Sequence, residues 1–479
     1  MNYGYIIYIL GWILQVEGVF MLLPVLVALI YGEEIGFMYL AVSAACFIAG
    51  FIITKFKTKK EAFYAREGFV MVALSWIILS LTSAIPFVIS GEIPSYIDAL
   101  FETISGYTTT GASILSDVEA LSHASLFWRS FTHWIGGMGV LVFVLAIVPL
   151  SGGQNMFIMK AESPGPSVGK LVPKIKKTAI YLYGIYIALT LLQIIILLFT
   201  GLSIFESVCT TFATAGTGGF GIYNNSCAGF STASQIVITI FMFLFGVNFG
   251  FYFLILSKRF KDAFRMEEVK WYLAIFIGAI AAITINLACS AHSISESLKD
   301  AAFQVSSIMT TTGFSTADFN AWPSFSKAVL VMLMFVGACA GSTGGGIKVS
   351  RIVIGLKTVR KELEHLIHPR SVKQLKMDDN SIDRNTIRSI NIFLISYFVI
   401  MGLSVLIVSI DNFDLTTSFT AVAATLNNIG PGLEVVGPTG NFAGFSVLSK
   451  LVLMFDMLAG RLEIFPMLLL FSVGTWRRR

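Results

Sequence analysis

Four segments of this chain align with one another on a single glycine. The aligned glycines recur at intervals of about 100 residues, at Gly111, Gly219, Gly313 and Gly430. The position 13 residues before each glycine is acidic in the first three segments and a threonine in the fourth: Asp98, Glu206, Asp300 and Thr417. Self-similarity at a fixed spacing decides an architecture before any local pattern does. The sequence therefore predicts four similar structural units.

Long apolar stretches surround these segments. Ten are long enough to cross a bilayer, which takes about 20 residues: 4–30, 35–54, 68–90, 125–150, 178–200, 231–257, 271–290, 325–347, 389–410 and 447–474. Four are too short to cross and are predicted to be re-entrant helices inside a protein-lined space: 96–107, 204–213, 297–310 and 415–427. A chain that is 56% hydrophobic and 13% charged is not an ordinary soluble domain. We expect an all-α polytopic membrane protein with ten transmembrane helices and four re-entrant helices.

The basic residues predict its orientation. With ten spans and both termini inside, all Lys and Arg residues lie on one side except Arg129, Lys299, Lys327, Lys450 and Arg461. Basic residues concentrate on the cytoplasmic side of membrane proteins. The opposite side is rich in Asp and Glu, which would concentrate cations there, although outward loops are also simply depleted of Lys and Arg. This sidedness explains the basic loops without nucleic acid.

Other classes of protein are excluded or disfavoured. The five cysteines are scattered without C-x-x-C spacing, so a disulfide scaffold is excluded. No Lys or Arg precedes Lys55, so the first helix is expected to stay in the membrane rather than to be cleaved. The sequence contains no His/Cys/Asp/Glu cluster with metal-ligand spacing and no evident nucleophile–base pair. We therefore expect neither an enzyme nor a bound cofactor.

The four glycine segments carry a chemical prediction. A central glycine allows backbone dihedrals in which consecutive carbonyls face one axis, and rings of such carbonyls replace the hydration shell of an ion. Short helices that point their C-terminal ends inward favour a cation, and Asp98, Glu206 and Asp300 fit capping of their N-terminal ends. The alternative is that each segment is only a turn at a helix end. The candidate ion ligands are Thr109, Thr110, Gly111, Thr217, Gly218, Gly219, Thr311, Thr312, Gly313, Asn428, Ile429 and Gly430.

A second unusual segment interrupts the span that follows the third glycine. It contains Gly341, Ser342, Thr343, Gly344, Gly345 and Gly346. Three consecutive glycines disfavour a helix by about 1 kcal/mol each, and irregular backbone at membrane depth must line a cavity. A phosphate-binding loop is rejected, because Ile347 separates Gly346 from Lys348. A passive kink remains an alternative.

The segments 108–113, 341–348 and 459–464 resemble the Trk/Ktr/HKT superfamily of potassium transporters, and within it the bacterial Trk potassium-uptake subunits. The resemblance covers essentially the whole chain. It implies potassium as the transported ion, because glycine stands at all four filter positions, and it makes 341–346 an intramembrane gating loop. It places Arg461 just inside the filter, where an ion pair with Asp456 or Glu463 is the alternative. Asn248 is expected to hydrogen-bond the gating loop or to make an ordinary interhelical bond.

The resemblance also implies a homodimer in the bacterial cytoplasmic membrane and a cytosolic RCK-type nucleotide-binding regulatory subunit. Loops 151–177 and 348–388 are expected to form part of the docking surface, with Lys174, Lys176 and Lys177. The predicted division is an N-terminal helix pair at 1–60 and four pore repeats at 61–160, 161–265, 266–375 and 376–479. A proton- or sodium-coupled symporter that uses Glu17, Asp456 or Glu463 is the alternative function, and a non-transporting receptor is the third. His133 and 136–139 are expected to be structural.

Overall fold

A computed structural model describes residues 1–56, 65–139, 175–290, 293–370 and 374–476. Most of these residues are helical. In chain order the helices are α1 Tyr3–Phe20, α2 Leu22–Tyr31, α3 Gly36–Lys55, α4 Ala65–Ser83, α5 Ile85–Ile89, α6 Tyr96–Tyr107, α7 His123–Met138, α8 Ile175–Phe199, α9 Ile204–Ala215, α10 Thr232–Phe245, α11 Phe249–Leu256, α12 Phe260–Arg265, α13 Glu267–Ala288, α14 Ile294–Met309, α15 Ser324–Val336, α16 Val349–Ile367, α17 Arg384–Val408, α18 Leu415–Leu426, α19 Val447–Arg461, α20 Phe465–Phe471 and α21 Val473–Trp476. One two-residue hairpin pairs β1 (Lys376–Met377) with β2 (Asn380–Ser381), and short 3₁₀ turns lie at Phe319–Ala321, Ser409–Asp411 and Glu434–Val436.

Long apolar helices form the scaffold of the fold. In the described part of the chain, six helical segments are long and apolar enough to cross a membrane, or seven when the bent pair α10–α11 is taken as one span. The other predicted spans are broken or incompletely described. The α10–α11 pair bends by 88°, α15 ends at Val336 well before 347, and 447–474 is interrupted after Arg461. Residues 140–150 of one predicted span, most of loop 151–177, and Lys174 lie outside the described residues, as do the side chains of Lys176 and Lys177.

Four short helices precede the aligned glycines, as the repeat predicted: α6, α9, α14 and α18. Each has an N-cap side chain that accepts from a main-chain N–H three residues on, and these caps are Ser95, Ser203, Ser293 and Asp414. Such a cap satisfies one of the donors that a helix N-terminus leaves unpaired. Three of the short helices start with a serine cap and the fourth with an aspartate, so the four units begin their short helices in the same way.

The acidic residues of the repeat do not all lie where the alignment predicted. Asp98 and Glu206 are in the first turns of α6 and α9, and Glu206 completes a capping box with Ser203. The prediction for Asp300 was wrong. Helix α14 begins at Ile294, so that Glu296 occupies its first turn and Asp300 falls in the second. The third short helix is longer than the others by about one turn, and this extension displaces the aligned acid from the cap.

The N-terminal helices pack against the first repeat rather than standing apart. Helices α1 and α3 contact each other along their length, and α1 also contacts α4. At that contact the buried Glu17 carboxylate accepts hydrogen bonds from Thr82 and Ser83, both at 2.6 Å. Ser83 is 2.9 Å from the hydroxyl of Tyr107, the last residue of α6. A continuous polar chain therefore connects the N-terminal helix to the end of the first short helix.

Candidate ion-conduction site

The four aligned glycines sit in four loops that share one backbone conformation. We call them glycine loops 1 to 4, at 108–113, 216–221, 310–315 and 427–432. In each loop the central glycine has positive φ, between 78° and 95°, and so has the residue two positions earlier, between 53° and 60°. These earlier residues are Thr109, Thr217, Thr311 and Asn428. Residues other than glycine rarely adopt this region, so its recurrence at four equivalent positions indicates a shared constraint.

Hydrogen bonds to the short helices impose that conformation. In loop 1 the N–H of Thr109 donates to Gly106 O at 3.1 Å, and that of Thr110 to Ser105 O at 2.9 Å. The corresponding pairs of bonds recur in loops 2, 3 and 4 at 2.8 to 3.1 Å. Each helix end thus uses the loop N–H groups and satisfies its own last carbonyls. Within the described residues, the main-chain oxygens of the two residues before each central glycine accept no hydrogen bond.

The four loops form a closed ring. A Cβ placed on Gly111 would collide with the carbonyl oxygen of Gly218 in the next loop. The same relation joins Gly219 to Thr312 O, Gly313 to Ile429 O, and Gly430 to Thr110 O. Each central glycine is therefore required twice, by its positive φ and by the close approach of a neighbouring carbonyl. The structure brings all twelve predicted ligand residues together.

Side chains reinforce the contact between neighbouring loops. The amide of Asn428 donates to Thr110 Oγ1 at 2.9 Å and to Met457 O at 2.9 Å, so that loop 4 is tied to loop 1 and to α19. In loop 1 the hydroxyls of Thr108 and Thr110 are 2.8 Å apart, and in loop 3 those of Thr310 and Thr312 are 2.8 Å apart. The asparagines and threonines that distinguish the loops thus support one geometry.

A buried ion pair braces the outer side of loops 1 and 2. Arg129 on α7 donates through Nε and Nη2 to Glu102 Oε1 on α6, at 2.9 and 2.7 Å. Glu102 also accepts from the Ser113 hydroxyl and from the N–H of Ile114, while Arg129 reaches the carbonyl of Gly221 at 3.3 Å. Because both side chains are at most 3% exposed, their polar groups depend on each other. The sequence analysis noted Arg129 only as an exception to the distribution of basic residues and did not predict its pairing with Glu102, although opposite charges on adjacent apolar helices were a usable signal.

The glycine-rich segment 341–346 lies in the non-helical stretch between α15 and α16, where a break was predicted. It contacts the helix-side ends of two glycine loops. The N–H of Gly345 donates to Thr311 Oγ1 at 2.6 Å, and that of Gly346 to Asn427 O at 3.0 Å. Thr343 is bound through its N–H and hydroxyl to Phe245 O at the end of α10. The segment is therefore attached to loops 3 and 4 and to the second repeat.

Two basic side chains bind the carbonyls of this segment. Arg461 donates to Thr343 O at 2.9 Å and, through Nη2, to the carbonyls of Gly136 and Gly137 at the end of α7. Lys348 Nζ bonds Gly344 O and Gly345 O. Glu463, one acid considered as a partner of Arg461, pairs with Arg351 at 2.7 Å, and the other, Asp456, accepts from Ser404. Arg461 thus connects the segment to the first repeat.

A carboxylate holds both ends of the break. Glu268 Oε1, near the start of α13, accepts from the N–H of Ala340 at 2.6 Å and from that of Ser350 at 3.1 Å. The amide of Asn248 lies 3.4 Å from the same carboxylate, and its oxygen caps α11 through Gly250 N–H. The hydrogen bond from this region to the segment is made by Phe249 N–H, to Gly341 O at 2.9 Å. Sequence patterns did not identify Glu268, because it lies beside ordinary loop charges.

Hydrogen bonds shift the pKa values of two groups beyond the ring. Hydrogen bonds from the side chain and main chain of Thr417 lower the pKa of Asp414, at the start of α18, below its ordinary value. The hydrogen bond to Glu206 raises the pKa of Tyr223 to about 12. Both groups therefore keep their usual protonation state near neutral pH. In the described part of the chain, no three His, Cys, Asp or Glu side chains are placed to hold a metal ion.

Long apolar helices that surround four short helices and a central ring of glycine loops are typical of a membrane transport protein. The model of the TrkH family, described as cation transport proteins, matches residues 37–475, and the chain belongs to this family. It is therefore a transport protein and not an enzyme.

The chain is similar to named members of this family. It is 37% identical to the Trk system potassium uptake protein TrkH of Salmonella typhimurium, over 95% of this chain and 96% of that one. It is 31% identical to the Escherichia coli Trk system potassium uptake protein TrkG, over 98% and 97%. The crystal structure of the potassium transporter TrkH from Vibrio parahaemolyticus aligns with a TM-score of 0.89, 32% identity and full coverage of both chains.

The Glu102–Arg129 pair gives a stability prediction. Truncating one partner leaves the other charge buried, which costs about 3–5 kcal/mol. We expect Glu102→Ala to lower the thermal unfolding midpoint in detergent much more than Asp262→Ala. The latter breaks the exposed Arg259–Asp262 pair, a kind of contact worth at most about 1 kcal/mol. Equal shifts for the two variants would contradict the bracing role.

Proposed function

We propose that this chain takes up potassium across the bacterial cytoplasmic membrane through the ring of glycine loops. The observation that carries the proposal is the closed ring, in which each central glycine meets the carbonyl of the next loop. The carbonyl oxygens before the glycines would replace the water around a potassium ion, as carbonyl rings do in selectivity filters. The relatives named for potassium uptake support potassium as the substrate.

The proposed arrangement comprises ten transmembrane helices and four re-entrant helices with both termini in the cytoplasm. An N-terminal pair at 1–60 precedes pore repeats at 61–160, 161–265, 266–375 and 376–479. Cations would collect at the acidic outer face, lose water in the ring, and leave past the segment 341–346. Inward movement of one charge gains about 2.3 kcal/mol per 100 mV of membrane potential. This gain would drive potassium accumulation without a bound cofactor.

The glycine-rich segment is proposed as the gate. Its contacts support this role, because it lies against loops 3 and 4 and is held by Arg461, Lys348 and Glu268. A segment with three consecutive glycines has few side chains to pack, so its position depends on those polar contacts. Breaking them would let it move away from the ring. The gate is thus a two-position element whose closed state rests on a few named hydrogen bonds.

The proposed partners are a second copy of the chain and a cytosolic RCK-type nucleotide-binding subunit. Helix α16 supports a protein contact on the inner side. Its Leu356, Val359, Leu363 and Leu366 are each at least 57% exposed and recur at helical spacing, which marks an interaction face. The basic loops 151–177 and 348–388 would contribute to docking of the regulatory subunit. Since α16 directly follows segment 341–346, a partner bound there could displace the gate.

Proton-coupled symport is a second candidate, favoured by two buried acids. Glu17 and Asp456 are at most 1% exposed, and hydroxyl groups donate hydrogen bonds to both carboxylates. Buried intramembrane acids of this kind often carry protons in transporters. Reversal potentials in liposomes at several pH values separate the two functions. A potential that follows the potassium gradient alone at every pH would eliminate proton coupling.

Flux measurements on purified protein in liposomes test the main proposal. The liposomes contain potassium, and a voltage-sensitive dye in the outside solution reports their membrane potential. We expect a potassium-dependent membrane potential that protein-free vesicles lack. The same vesicles with sodium in place of potassium should give a smaller response. If wild-type protein carried neither ion, both transport functions would fail, and a receptor role would take their place.

Substitution of a central glycine should weaken ion discrimination. In Gly111→Ser the new Cβ collides with Gly218 O. Residue 111 also has φ 78°, and for a residue other than glycine this left-handed conformation alone costs about 1–2 kcal/mol. We expect the potassium-to-sodium flux ratio to fall about five- to thirtyfold, the factor that corresponds to this energy. Gly91→Ser is the matched control, because Gly91 also has φ 78° but its Cβ would meet nothing within 4 Å. A ratio equally reduced in the control would disprove the role of the ring.

Removal of the Glu268 carboxylate, which holds both ends of the proposed gate, should raise the potassium flux. Glu268→Ala eliminates the acceptor for Ala340 and Ser350, so the segment 341–346 should open more often. We expect a severalfold higher potassium flux per folded protein in the absence of any regulatory subunit. Glu267→Ala is the neighbouring control, since Glu267 precedes Glu268 on α13 but pairs with Lys357 of α16 rather than with Ala340 or Ser350. Unchanged or lower flux in Glu268→Ala would contradict the proposal that Glu268 stabilises the closed position of segment 341–346.

A further inference from the structure

The four glycine loops achieve one backbone geometry with different supports. In loops 1 and 3 the support is internal. Thr108 and Thr310 donate to carbonyls one turn back in their helices, at 2.6 Å each. Their oxygens in turn receive the hydroxyls of Thr110 and Thr312 at 2.8 Å. Such a pair connects the position before the central glycine to the helix end.

Loop 2 lacks this support, because glycines replace both threonines. Gly216 and Gly218 stand where loops 1 and 3 have their hydroxyl pairs. With Gly219 they make this the most glycine-rich of the four loops, and glycines lose the most conformational freedom when they are held in one state. Nevertheless, loop 2 keeps the shared geometry, with φ 53° at Thr217 and 82° at Gly219. Something outside the loop must hold it.

The imidazole of His133 occupies the missing side-chain space. A Cβ on Gly218 would collide with the His133 ring, which is fully buried. The ring also lies against Phe220, with centroids 4.3 Å apart. It fills the position that the Thr110 and Thr312 side chains take in the other loops. The glycine at 218 is thus explained by the histidine on the neighbouring helix α7.

His133 makes two hydrogen bonds that join loop 2 to the first repeat. Its Nδ1 is 2.7 Å from Gly106 O, and the N–H of Phe220 donates to its Nε2 at 3.2 Å. A carbonyl can only accept and an N–H can only donate, so these partners assign the proton to Nδ1. Gly106 O also accepts from Thr109 N–H in loop 1. One neutral ring therefore fixes the end of α6 and the residue after the central glycine of loop 2.

We propose that His133 is a positioning residue that sets the shape of the second quarter of the ring and thereby the choice between potassium and sodium. This inference rests on the proposed transport function. The His133 imidazole takes the place of the threonine pair that supports loops 1 and 3. It holds the carbonyl of Gly218 against Gly111 and keeps loops 1 and 2 in register. Loss of the His133 imidazole would leave Gly216, Gly218 and Gly219 of loop 2 without side-chain support. The carbonyl oxygens of the four loops could then adapt to a smaller ion.

The test is the potassium-to-sodium flux ratio in liposomes, which does not depend on how much protein folds. We expect His133→Ala, which removes both hydrogen bonds of the imidazole, to lower the ratio about tenfold, a factor within what two lost hydrogen bonds can contribute. His133→Gln should retain most of the ratio, since the NH2 group of the glutamine side chain can donate to Gly106 O and its carbonyl oxygen can accept from Phe220 N–H. Trp128→Phe is the control, because Trp128 is a buried α7 residue that packs on Tyr39. If the His133→Ala protein does not fold, His133→Met replaces it, because methionine fills the space without making the hydrogen bonds.

A double substitution tests the spatial argument. Gly218→Thr alone should lower the ratio, because its side chain meets the His133 ring. In His133→Ala with Gly218→Thr the space is free, and we expect a ratio higher than the product of the two single effects. A wild-type ratio in the alanine or methionine variant, or effects that simply multiply, would overturn the inference. Absence of potassium flux in the wild type would instead remove the proposed function.

Discussion

The structure depends on the backbone hydrogen bonds at the C-terminal ends of four short helices. The N–H groups of each glycine loop turn back to the preceding short helix, which fixes left-handed dihedrals at two positions and leaves carbonyl oxygens for other partners. Such a loop cannot exist alone in lipid, because unpaired carbonyls are costly there. Each loop is stable only beside the next one. The surrounding helices, caps and ion pairs serve to bring the four together.

Much of this fold was predictable because its signals are local and repeated. The spacing to each central glycine placed the short helices and the loops, and three consecutive glycines located the break before α16. The cap of the third helix was not predictable from the alignment, since an added turn moved Asp300 away from the start. Breaks in α10–α11 and after Arg461 also escaped the apolar pattern. Hydropathy does not register an interruption that tertiary hydrogen bonds support.

The contacts that hold the site were harder to predict. Glu268 and the Glu102–Arg129 pair act across 27 to 82 residues of sequence, and nothing in their local surroundings distinguishes them from ordinary charges. His133 became meaningful only when its ring was found against Gly218. A repeat indicates which positions are equivalent, but it does not reveal which distant side chain compensates for a departure. Those compensations are tertiary, and they differ from loop to loop.

A single polypeptide encodes all four quarters of the ring, and this has an evolutionary consequence. In an assembly of four identical chains one mutation alters every quarter at once, whereas here it alters a single quarter. His133, Asn428 and the threonine pairs are different supports of the same backbone geometry in adjacent loops. A substitution in one loop leaves the backbone contacts of the other three loops in place, so the four quarters can change one at a time without loss of the whole arrangement.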